Sequence, residues 1–171
     1  MFRRALVLAC ALVPVLLPGS AAAATSRAVW ATVNVCDTEA HPDSVGIRAS
    51  MPGNDSRRQT MHMRLRVQYL LPDGTWTPIA GRSTTGFRRV GRARNFVHRE
   101  FGHTFRLDPP PEGETVTVRG VADFQWRVRR RRRGQVRSVV VRRARAVTQT
   151  RSEPVDEADP PGYSADRCEI R

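Results

Sequence analysis

The stretch ETVTVRGVADFQWRVRRRRRGQVRSVVVRRARAVTQ, residues 114–149, decides the architecture. As far as Val128 its apolar residues recur at every second position. Val116, Val118, Ala122, Phe124, Trp126 and Val128 fall on one side with Gly120 among them, the period of a strand and not of a helix. The sixteen residues 114–129 would span roughly 50 Å at about 3.3 Å each, beyond a usual strand, so Gly120 is expected to mark a bulge or bend. The return arm, residues 135–149, closes a hairpin through a three-residue loop of Arg132, Arg133 and Gly134, with Gly134 in the left-handed position. That register sets Trp126 opposite Val140, Ala122 opposite Ala144 and Asp123 opposite Arg143, and it turns Arg142 toward Phe124 on the apolar side.

The same period runs upstream. Val29, Ala31, Val33 and Val35 alternate before Cys36; Val45, Ile47, Ala49 and Met51 follow a turn at residues 41–44. Met61, Met63, Leu65, Val67 and Tyr69 point one way while His62, Arg64, Arg66 and Gln68 point the other. A turn at Pro72, Asp73 and Gly74 leads into a short strand over residues 75–79. Residues 80–99 read as loop with at most a brief edge strand, and Phe101, His103, Phe105 and Leu107 alternate again before the Pro-rich break at 108–113. Seven or eight short strands joined by turns predict an all-β fold, an antiparallel β-sandwich of immunoglobulin or fibronectin III type with a long basic hairpin. Trp30, Trp76 and Trp126 are expected to fill core or rim space.

The chain has 171 residues and a formal net charge of +13, with 40% hydrophobic residues. That is one domain's worth, too apolar for a disordered tail and too polar for a membrane bundle. Residues 1–24 read as a secretory signal: Arg3 and Arg4, an apolar run over 5–17, a break at Pro18, Gly19 and Ser20, then small residues with cleavage after Ala24. The run is shorter than the about 20 residues a spanning helix needs, so no anchor remains after cleavage. Removal of the leader discards Cys10 and leaves Cys36 and Cys168, which are expected to pair in an oxidising compartment. The loop they close is long enough that the chain-entropy model assigns on the order of 4 to 5 kcal/mol to the bond. The mature domain is therefore residues 25–151, followed by an acidic tail at 152–171 tethered by the disulfide.

Val33 to Asp37 (VNVCD), residues 159–164 (DPPGYS) and the last cysteine, Cys168, resemble small secreted modules of high-GC actinobacteria. The resemblance covers most of the mature chain and implies export and a sandwich fold; it implies no activity and carries over no site.

All 29 basic residues are Arg. A GC-rich genome favouring Arg codons would replace Lys at solvated positions too, so where Lys is absent altogether the Arg-over-Lys choice carries little information about ligands. The distribution of charge carries more. Ten Arg and no acid lie between residues 127 and 145: Arg127, Arg129, Arg130, Arg131, Arg132, Arg133, Arg137, Arg142, Arg143 and Arg145. At a hairpin tip such charges stand within a Debye length of one another and draw polyanions. The expected partner is nucleic acid, an anionic wall polymer, an acidic polysaccharide or an anionic surface. The alternative is a structural or protein–protein module whose hairpin is neutralised by its own tail, which carries Glu153, Asp156, Glu157, Asp159, Asp166 and Glu169. The tip has no apolar residue to enter a membrane and no exposed aromatic for base stacking.

Catalytic signals are thin. His98 and His103 lie five apart near Glu100 and Asp108, and Ser83, Thr84 and Thr85 are nucleophile types, yet no GxSxG, HExxH or glycine-rich phosphate loop occurs. His103 reads as a hydrogen-bonded core residue and His62 as solvated surface. The reading is non-enzymatic, with a small hydrolase using His98 or His103 and a neighbouring carboxylate as the further rival; no cofactor or metal is expected, since His41, His62, His98 and His103 show no ligand spacing relative to the cysteines.

Overall fold

The computed structural model describes residues 29–81 and 83–171; the expected leader and its cleavage site lie outside them. Among the described residues nine strands form: β1 Trp30–Thr38, β2 His41–Pro52, β3 Gln59–Leu70, β4 Trp76–Pro78, β5 Arg88–Arg92, β6 His98–Arg106, β7 Val116–Arg132, β8 Gln135–Val147 and β9 Cys168–Ile170. They make a three-stranded sheet ordered β1-β2-β6 and a six-stranded sheet ordered β4-β3-β7-β8, with β5 also along β3 and β9 also along β7. Every strand pairing is antiparallel. Val33, Val45, Ile47 and Met51 of the smaller sheet and Met61, Met63, Leu65, Phe124 and Trp126 of the larger one are fully buried in one core. The alternation read from the sequence is the cause: one side of each strand is apolar, and two such sides dry each other.

Gly120 is not a bulge. It pairs in unbroken register with Val67 of β3, and β7 continues through it as one strand of 17 residues. The reason for glycine is close approach: a Cβ there would stand 2.7 Å from Cδ1 of Ile47 in the facing sheet and 2.6 Å from Cγ2 of Thr148. The first turn also differs from expectation, since β2 already begins at His41, which pairs with Thr38.

The chain's end closes the larger sheet. β8 leaves the β7 ladder at Val147 opposite Val121, and β9 takes up the same lane at Val116, Thr117 and Val118. Cys168 on β9 bonds to Cys36 on β1, so the disulfide joins the two sheets. The segment between crosses the outer side of β1. Thr32 Oγ1 lies 2.6 Å from Ser164 Oγ, the Asn34 amide donates to the Glu157 carbonyl at 2.8 Å, and the Arg151 guanidinium covers the Trp30 ring at 4.1 Å. This cover explains why the polar residues Thr32 and Asn34 are buried on a face that would otherwise meet water.

Candidate polyanion-binding surface

The hairpin turn has two residues, not three. Arg132 pairs with Gln135, and Arg133 and Gly134 between them both have positive φ, 48° and 78°. That is the requirement of a type I′ turn, whose twist matches the flanking strands. Towards the sheet the ladder slips between Trp126 and Arg127, leaving Val141 unpaired. The turn and the bulge together move the expected register: Trp126 faces Arg142, Ala122 faces Ala146, Phe124 faces Ala144 and Asp123 faces Arg145. Arg142 no longer intrudes on Phe124. Its guanidinium lies 4.5 Å above the Trp126 ring and caps the core at the open edge of the sheet.

β3 accompanies β7 only as far as Val128, opposite Gln59. Beyond it Arg129–Arg132 pair with β8 alone, so the last part of the hairpin is a free two-stranded finger. Arg129, Arg130, Arg131, Arg132, Arg133 and Arg137 are all exposed. Arg130 stands directly across from Arg137, a like-charge pair that works against the ladder. Among the described residues none of these six meets a carboxylate; Arg137 donates to the Gln135 amide oxygen at 2.9 Å.

Nearer the sheet the expected site residues differ in kind. Arg145 donates to Asp123 at 2.7 Å, and the same carboxylate holds Arg64 at 2.8 Å and Arg66 at 2.9 Å. Burial pushes the Asp123 carboxyl up, but the hydrogen bonds from Arg145 and Arg64 and the charge of Arg66 outweigh it and hold the group below its ordinary value. Arg127 is half-buried, donates to Gln125 at 2.8 Å and lies 4.9 Å over the Phe87 ring, which Arg64 also faces at 4.7 Å. Arg143 is exposed, opposite Gln125.

The six tail carboxylates are engaged away from the finger. Asp156 and Glu157 pair with Arg48 of β2, Glu153 with Arg151, Asp166 with Arg167 and Glu169 with Arg171. Asp159 accepts the Thr38 hydroxyl at 2.5 Å. The disulfide and these contacts hold the tail against β1 and β2 of the smaller sheet, and none of the ion pairs is with an arginine of the basic hairpin.

Sequence reading missed a second set of charges. The β2–β3 and β5–β6 connections meet at the finger's end of the molecule: Asn54 N donates to Ala93 O at 2.8 Å, Gly53 N to Val97 O at 3.0 Å and Arg92 to Arg57 O at 3.4 Å. Arg57, Arg58, Arg89, Arg92 and Arg129 line a groove of about 600 Å³ beside β3. Phe96 is 66% exposed at this end, and Val136, Val139 and Val141 are exposed along β8, so the expectation that the tip lacks apolar surface is corrected. The runs RR at 57–58 and RRVGRAR at 88–94 were the only signal, and nothing in them says that they fold together.

His98 and His103 sit on opposite faces of β6, as their odd spacing requires. The ring of His98 contacts Ser50 at 3.3 Å, and His103 is exposed on this edge strand, edge-on to Phe105 at 4.6 Å, not a core residue. His62 is half-buried in the groove, not fully solvated, with Nε2 at 3.0 Å from Thr60 Oγ1. Among the described residues no group of three or more His, Cys, Asp or Glu comes together as metal ligands would. No protein-family model matches the chain, and a search of curated proteins returns no significant match.

Proposed function

We propose that this is a secreted, non-enzymatic β-sandwich of immunoglobulin or fibronectin type that contacts anionic polymers or surfaces through its β7–β8 finger. The strand order supports the fold type: β1-β2-β6 and β3-β7-β8 correspond to the A-B-E and C-F-G sets of that architecture. The disulfide between sheets supports export, as such bonds persist in oxidising compartments. The observation that carries the function is electrostatic. Six exposed guanidinium groups stand on a ribbon that has left the sheet, and no carboxylate among the described residues neutralises them. Their mutual repulsion is relieved by an oxyanion-bearing partner, and the fork geometry of Arg suits phosphate, sulfate and carboxylate alike. Binding of this kind follows charge density and salt, with little sequence discrimination. Retention on heparin resin tests it: elution above physiological salt is expected, and elution below it favours a structural or protein–protein role instead.

A further inference from the structure

The groove beside the finger contains a group that the finger lacks. His62 of β3 lies within it, surrounded by Arg57, Arg58, Arg89, Arg92 and Arg129. Each element packed around His62 presents positive or neutral groups. β5 places Arg89 opposite it; β7 places Gln125 opposite it and Arg127 opposite Thr60; β8 brings Arg143 opposite Gln125; on β3 itself Arg64 is two residues on. Among the described residues Asp123 is the carboxylate within these strands, and it is spent on Arg64, Arg66 and Arg145; Asp55 of the β2–β3 connection accepts from the Asn95 N–H at 3.1 Å. The Thr60 hydroxyl oxygen stands 3.0 Å from Nε2 of His62 and 3.3 Å from the Arg127 carbonyl oxygen. Either ring tautomer satisfies that contact, and protonation of the ring makes both of its nitrogens donors.

Resting on the polyanion reading above, we propose that this groove seats one oxyanion group of the polymer held by the finger. The His62 imidazole joins the guanidinium groups as a cationic donor there, so that the grip tightens as the medium becomes mildly acidic. Burial and the charges of Arg127 and Arg89 hold His62 below its ordinary value of 6.5. An oxyanion replaces that repulsion by attraction and raises the imidazole's affinity for a proton. Binding and proton uptake are then linked, and by linkage the polymer binds more tightly at the pH where the bound form is protonated and the free form is not.

A short dextran sulfate is the probe, because its sulfate groups keep their charge between pH 8 and 5.5 and any pH dependence belongs to the protein. At fixed ionic strength its affinity is expected to rise about five- to tenfold over that interval, corresponding to a shift of about one pH unit in His62. H62Q is expected to flatten the rise, while H98Q/H103Q keeps it. Independently of any variant, the His62 imidazole of the intact protein, followed by NMR, is expected to titrate at higher pH with the probe than without it. A flat profile for the unaltered protein, a rise that survives H62Q, or an unshifted His62 titration overturns the pH-linked groove and leaves the finger's role standing. No binding at any pH in low salt overturns both.

Discussion

Asp123 is the only carboxylate within β3, β5, β7 and β8, and it is buried beneath three guanidinium groups. It pins Arg64, Arg66 and Arg145 flat against the sheet and removes one unit of charge from a field of many. D123N leaves those three without a counter-charge in a partly dry setting, so the variant is expected to lose about 2 kcal/mol of stability by chemical denaturation. It is also expected to bind heparin more tightly at low salt, because the three groups are released. The Asp123 carboxyl is held below its ordinary 3.8, so the stabilisation it carries is present above that pH and declines as pH falls through the depressed value. A D123N protein whose stability matches the unaltered one at pH 7 contradicts this role. At Arg133 local preference and charge point in different directions. Its left-handed backbone, φ 48°, favours Asn ahead of Gly in a type I′ turn, yet Arg stands there.

At the scale of elements, β7 is the organiser: it pairs with β3, β8 and β9 and carries both the core residues Phe124 and Trp126 and the finger's arginines. Its alternation was plain in the sequence, as were the inward sets of β1, β2 and β3. Pairing register was not. The turn residues admit a two- or a three-residue loop, and the slip at Val141 leaves no mark in a run of three valines, so the misfit of Arg142 was the only warning. Gly120 was legible as a special position, but its cause lies in the facing sheet, where Ile47 occupies the space of a side chain. G120A is expected to lower stability by about 1 to 3 kcal/mol through overpacking, seen as a lower Tm. A neutral result shows that Ile47 and Thr148 move aside freely.

For the whole molecule, the partition of charge is the central feature. Asp156, Glu157 and Asp159 of the tail bind β2 and β1, Glu153, Asp166 and Glu169 pair with arginines next to them in the tail, and the Cys36–Cys168 bond ties the acidic segment to β1. The basic ribbon could be read from residues 127–145, but the groove of Arg57, Arg58, Arg89 and Arg92 could not, since three segments distant in sequence build it. The most direct test is the salt dependence of the dissociation constant for a single-stranded DNA oligomer, compared between the unaltered protein and R129Q/R130Q/R131Q/R132Q/R137Q. Each lost phosphate contact removes about 0.7 from the slope of log affinity against log salt. The account predicts a variant that folds as before and whose slope is shallower by about 3 to 4. Equal slopes and equal affinities in the two proteins would contradict it.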